Sequence, residues 1–246
     1  MECLHSRLCF FIILEKCVST FIWRALRHRA GSEVRDGERC DTELEARYCL
    51  NQKGASFKER IIRYMSDYIT TYSGIHFYPL QPEADKLYIE DIAHALSLIC
   101  RGNGHVKHFF SVGQHCINCA MEAEARGYSR RVCLACLLHD ASEAYLSDVP
   151  GPFKKSMPAY EELERQMLEI IYEKYLGSPL TEEEEKLVKA IDKDMLYFDL
   201  LELLNESSDR EEPEMKSCFS EEFVPFEEVE RQYLELFQKL NGAIWE

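Results

Sequence analysis

The sequence predicts an all-α fold over residues 65–246. Three observations carry that expectation. Apolar residues recur mainly at helical spacing. Start signals precede the periodic segments: Ser111 three residues before Gln114, Ser129, and Thr181 followed by four glutamates. Breakers follow them, at Gly102, Gly104, Gly127, the run 149–152 (VPGP) and Gly177.

Taken in order, residues 66–88 combine aromatic and turn residues (Tyr72, Gly74, Phe77, Tyr78, Pro79) and read as a short hairpin or ordered loop. A helix follows over IEDIAHALSLIC, stopped at the glycines. The next starts from the capping-box pattern SVGQ and runs to Gly127. Ser129 caps a third, which continues through VCLACLLHDASEAYLSD to about Asp148. A fourth spans about 158–176. Thr181 caps a long fifth helix, whose first-turn glutamates suit the positive end of its dipole. A charged loop, NESSDREEPEMKS, leads to a helix near 221–240.

Residues 1–64 differ in character. They carry a net charge of +3, against −18 for the remainder. Their apolar burst, LCFFIIL, is broken by Glu15 and Lys16 and makes a poor signal or anchor. They are expected to form an irregular, poorly ordered extension. The abrupt change before MSDYITTYSGIHFYPL suggests Met65 as an alternative start, which intact-mass measurement of natively expressed protein would decide.

The overall net charge of −15 excludes a broad basic footprint for nucleic acid, but leaves room for a small anionic substrate in a locally positive pocket. No apolar run reaches the ~20 residues that span a bilayer. Eleven cysteines in so long a chain do not suggest a disulfide framework; most of the six after residue 50 sit among helix-like apolar residues and read as reduced, buried thiols of a cytoplasmic protein.

The chemistry concentrates where VCLACLL gives way to HDASEAYLSD. Adjacent helical residues lie ~100° apart, so His139 and Asp140 can flank one metal ion. Glu143 is expected on the face of His139 one turn on, with Asp148 at the helix end. Further ligands must come from elsewhere. His115 accompanies the apolar stripe of Val112, Cys116 and Cys119. Asp192 lies in the row Val188, Ile191, Asp192, Met195, Asp199. A buried carboxylate there requires a partner or a metal. Asp194 points to the opposite side and is expected in solvent. A competing pattern is Cys116-x-x-Cys119 with Cys133-x-x-Cys136, near the spacing of a four-cysteine zinc site. Both pairs fall inside expected helices without the turns such sites use, so packing is the preferred role.

His115, the His139–Asp140 pair and Asp192, in this order, resemble the HD-domain metal-dependent phosphohydrolases. HDASEAYLSD with the following DVPGPFK is similar to the bacterial 5'-deoxynucleotidase branch. TYSGIHFYPL…IEDIAHALSLICRGNGH…FFSVGQH resembles viral and bacterial relatives that include deoxynucleoside triphosphate triphosphohydrolases. The resemblance covers about residues 66–205. It implies an HD-type helical bundle and one divalent cation (Zn, Mn or Co) held by His115, His139, Asp140 and Asp192. It implies a catalytic role for Glu143 and Asp148, and phosphate contacts from Arg101. Lys154 is a second phosphate candidate, and Tyr72, Phe77 and Tyr78 are candidates to stack on a base. The expected activity is 5'-nucleotidase action on deoxynucleoside monophosphates. The alternatives are triphosphate removal from a dNTP and a non-catalytic, metal-bound nucleotide-binding module. Members of the family are often dimers, so the resemblance allows a homodimer without the sequence deciding it; nucleic-acid and membrane partners are not expected.

Overall fold

The computed structural model describes residues 67–206 and 209–242. The chain divides between Tyr64 and Met65, and the described residues all belong to the second unit. The expectations for residues 1–64, and for a start at Met65, lie outside the described residues.

The protein is all-α. A two-residue hairpin, β1 (Ile69–Thr70) with β2 (His76–Phe77), opens the described chain. Helices follow as α1 (Ile89–Leu98), α2 (Val112–Ala125), α3 (Arg130–Leu138), the short turns α4 (Glu143–Leu146) and α5 (Gly151–Lys154), α6 (Pro158–Leu176), α7 (Glu182–Phe198) and α8 (Phe226–Asn241). A π-helical stretch, Asp199–Leu203, extends α7.

The core explains the order. Val132 to Leu138 of α3 are all buried, as are Val112 to Ala120 of α2. Helical segments buried on every side belong at the centre. Accordingly α2 packs on α3, while α1, α6, α7 and α8 surround the pair. Gly113 lets α1 approach closely: a Cβ there would meet the Leu96 carbonyl carbon and the Ser97 nitrogen at 3.2 Å.

Local signals act as their chemistry dictates. Thr181 and Glu184 form the full reciprocal capping box of α7. Ser111 and Ser129 accept from the backbone N–H groups of Gln114 and Val132. Gln114, however, does not complete its box. Its Nε2 donates instead to the carbonyls of Ser220 and Glu222, tying down the segment before α8.

The expected single helix to Asp148 is corrected. α3 ends at Leu138, because the His139 Nδ1–H takes the Cys136 carbonyl (2.7 Å) and competes with the helical ladder. The following N–H groups then bond three residues back: Ala141 to Leu138, Glu143 to Asp140 and Tyr145 to Ser142. That tightened turn replaces the α-helical spacing assumed between His139 and Glu143.

Asp194 is a second correction. It is not solvated but ion-paired with Arg126 (3.0 Å) and Arg210. Arg126 also binds Glu122, a fully buried carboxylate that accepts from the backbone of Lys216 and Ser217. This cluster pins the charged loop to α2. No helix among the described residues is long and apolar enough to cross a membrane.

Candidate metal centre

Four segments converge beside the break after α3. His115 sits in the first turn of α2, almost fully buried. His139 and Asp140 follow α3 directly. Asp192 and Asp199 project from one face of α7 and its π extension. Arg101 opens a 3-10 turn, Arg101–Gly104, that enters the left-handed region at Gly102 (φ 59°) and Asn103 (φ 53°). An antiparallel bridge between Cys100 and Ser111, and the bond from Arg101 N to the Phe110 carbonyl (2.9 Å), hold that turn against the start of α2.

Nε2 of His115 lies 3.2 Å from Oδ1 of Asp192. Nε2 of His139 lies 3.6 Å from the same oxygen and 3.3 Å from Oδ2 of Asp140. The two rings are 5.3 Å apart. Asp199 Oδ2 sits 3.1 Å from His115 Nδ1 and 2.8 Å from an Arg101 terminal nitrogen. Arg101 also approaches Asp140 at 3.4 Å.

The donor set fits a divalent cation. His139 donates from Nδ1 to the Cys136 carbonyl, which leaves Nε2 as a lone pair in the neutral ring. That Nε2 is buried without a hydrogen-bond partner and faces two carboxylates. A lone pair opposed to anionic oxygens requires positive charge, either a proton or a metal. Bonds of about 2.0–2.1 Å meeting at about 110° space neighbouring N and O donors about 3.3 Å apart. The observed separations of 3.2, 3.3 and 3.6 Å lie near that value. Buried His, Cys and Asp groups capable of holding a metal ion are therefore present, including His115 with Cys119 and His139, and Cys116 with His139 and Asp140.

The electrostatics agree. Burial opposes charge on both histidines, yet the surrounding groups prevail and raise both well above the ordinary value. Cys119, Asp199 and Asp192 do so for His115; Asp140, Cys116 and Asp192 for His139. Burial pushes Asp192 up, but hydrogen bonds and charge from His115 and His139 hold it well below the usual carboxylate range. Glu143 behaves oppositely. Burial first, then Asp140 and Asp148, push it up to about 9, and its Oε2 is buried without a partner. Burial likewise raises Asp148, against the pull of Arg101.

Two clefts meet at the centre. One, of about 280 Å³, is lined by Arg101, Asp140, Glu143, Asp148, Lys154 and Asp199 among others. The second, of about 560 Å³, runs between α6 and α7 past His139 and Tyr172. Asp140, Lys154 and Asp192 line both. Asp192, with 41% of its side chain exposed, stands at their junction.

All eight residues singled out from the sequence thus come to one place: His115, His139, Asp140 and Asp192 at the cluster, and Arg101, Glu143, Asp148 and Lys154 around the smaller cleft. Lys154 is ion-paired to Glu164 at 2.6 Å. Tyr72, Phe77 and Tyr78 line neither cleft. Phe77 is core, packed on Tyr145, and Tyr72 stacks on His94.

Three residues were not selected from the sequence. Asp199 shares the apolar row with Asp192, seven residues away, and that spacing was its signal. The sequence groups Cys116 and Cys119 with Cys133 and Cys136 as packing residues, whereas the thiols of the first two lie against the histidines.

No family model matches the chain. The chain is 37% identical over 142 residues to YfdR, an uncharacterized protein of Escherichia coli (strain K12), across 58% of this chain and 71% of YfdR. The chain belongs to the YfdR family. An uncharacterized protein of Rhodobacter capsulatus is 33% identical over 120 residues, 46% of this chain. The chain spans 61% of the length of that relative, less than it spans of YfdR.

Proposed function

We propose that the protein is a divalent-metal-dependent phosphohydrolase that releases orthophosphate from deoxynucleoside 5'-monophosphates. The observation that supports this most is the buried, unpartnered Nε2 of His139 facing Asp140 and Asp192, with His115 closing the set. The resemblance of these residues to the HD-domain phosphohydrolases points the same way.

His115, His139, Asp140 and Asp192 would hold the cation, one of Zn, Mn or Co, whose chemistry is to acidify a bound water and polarise a phosphoryl oxygen. Arg101 lines the smaller cleft, where its planar fork would orient a phosphate group. Asp199 and Asp140 fix that fork in place. Glu143, whose carboxyl is pushed up by burial and by Asp140 and Asp148, shares the cleft with Asp148. Two carboxyl groups there hold and transfer the protons that phosphate-ester hydrolysis moves.

Charge favours a monophosphate over a triphosphate. The smaller cleft is lined by four carboxylates (Asp140, Asp148, Asp192, Asp199), the raised acid Glu143, and two cations, Arg101 and Lys154. The larger has six carboxylates and three cations, Lys154, Arg165 and Lys189, besides His139. Such linings match one phosphate group far better than a polyanionic tail.

A screen of dNMPs, NMPs and dNTPs with Mn²⁺, Co²⁺ and Zn²⁺ tests the proposal. Orthophosphate from a dNMP is expected. Inorganic triphosphate from a dNTP would replace this activity with triphosphohydrolysis. Metal binding with no phosphate release from any nucleotide would make the protein a non-catalytic binding module.

A further inference from the structure

We propose that Cys119 is a donor to the same cation, and that the centre therefore selects Zn²⁺ or Co²⁺ over Mn²⁺ and Mg²⁺. The inference rests on the metal centre of the proposed function and narrows the ion it takes.

Cys119 lies four residues after His115 on α2, so the two side chains share a face. Its Sγ is 3.5 Å from His115 Nε2 and is buried. The donor atoms of His115, Cys119 and His139 all lie within 4.8 Å of one another. As a fifth donor beside His115, His139, Asp140 and Asp192, Cys119 requires the expanded, five-coordinate form that zinc also adopts; bonds of about 2.0–2.1 Å to nitrogen and about 2.3 Å to sulfur meeting at about 110° separate those two donors by about 3.5 Å. The observed N···S distance has that value. Independently of the thiol, His139 presents an unpartnered Nε2 to the same space, with only 8% of its side chain exposed. Cys116 groups with His139 and Asp140 but not with His115. Cys119 is thus the thiol that closes a set with both imidazoles.

The centre consequently has two characters. Its exposed side is oxygen, from Asp140 and Asp192, where the clefts meet. Its buried side carries sulfur. Thiolate sulfur favours Zn²⁺ and Co²⁺, whereas Mn²⁺ and Mg²⁺ prefer oxygen donors.

The full chain loaded with Co²⁺ provides the test. A strong near-ultraviolet sulfur-to-cobalt charge-transfer band is expected in the wild type, in Cys116→Ser and in Cys133→Ser. It should vanish in both Cys119→Ser and Cys119→Ala. Competition dialysis should show the preference for Zn²⁺ over Mn²⁺ falling by roughly tenfold or more in either Cys119 variant. A wild-type cobalt spectrum with only weak visible bands overturns the inference without recourse to any variant, as does a band that survives loss of Cys119. Orthophosphate release by Mn²⁺-loaded protein is measured in parallel. Turnover without the band refutes the sulfur donor alone. The band without turnover on any nucleotide refutes the hydrolase alone.

Discussion

Arg101 and Asp199 form a buried ion pair at 2.8 Å, although 98 positions separate them in the numbering. The same carboxylate oxygen lies 3.1 Å from His115 Nδ1. One acid thus orients both the guanidinium at the cleft and an imidazole of the cluster. Asp199→Asn keeps the shape and removes the charge. Steady-state kinetics should show KM for a dNMP rising about tenfold, with a smaller change in kcat, as expected for a loosened phosphate clamp. An unchanged KM would remove Asp199 from substrate positioning.

Asp140 and Glu143 are close in the chain but differ in task. Asp140→Ala should abolish both bound metal and turnover. Glu143→Gln should retain the metal and lose turnover by about 10²–10⁴-fold. Metal analysis alongside product assay separates them, and equal metal loss in both variants would refute the division.

The raised histidines set a competition between protons and metal. Without metal, His115 and His139 stay protonated above their ordinary range. Their contribution to stability is therefore complete at low pH and is lost as pH rises through the raised values. Binding a cation must expel those protons. Calorimetric titration in buffers of different ionisation enthalpy should detect proton release near neutral pH, and apparent affinity should climb with pH. Binding without proton exchange would contradict the protonated pair.

Glu143 makes the metal-free fold pH-sensitive in the same direction. Its carboxyl titrates near 9 in the fold and near 4.5 when unfolded, so the folded state binds the extra proton between those values. Stability should fall across that window. Glu143→Gln should flatten the decline and gain on the order of 1–3 kcal/mol at its alkaline end, read from urea midpoints. A slope identical to that of the wild type would count against the buried, protonated acid.

Gly113 predicts a purely structural cost. Ala would place its Cβ 3.2 Å from backbone atoms of Leu96 and Ser97, which cannot swing away. Gly113→Ala should destabilise by about 1–3 kcal/mol by denaturant unfolding. A neutral result would mean that α1 shifts freely on α2.

What could be read from the sequence was what local chemistry decides. Ser111, Ser129 and Thr181 cap helices through neighbours within three residues, and all three do so in the structure. The end of α3 was misplaced because it depends on a side chain, His139, capturing a backbone carbonyl. Asp194 was misjudged because its partner Arg126 is 68 positions away. His115, His139, Asp140 and Asp192 could be nominated as donors beside apolar faces. Their spacing could not be read, and neither could the approach of Cys119 or the capture of Arg101 by Asp199. Those distances follow from how helices dock.

Tyr233 of α8 donates its hydroxyl to the Leu137 carbonyl (2.7 Å), two residues before His139 and 96 positions away. α8 also rests on α1, α2 and α3. During synthesis the chain emerges from its N-terminal end, so every donor of the centre is made well before its backing. A nascent chain short of residue 233 presents two imidazoles and two thiols on an incomplete core. The proposed centre would therefore gain its packed backing only once α8 has been made, and ion binding by shorter nascent chains is expected to be weaker.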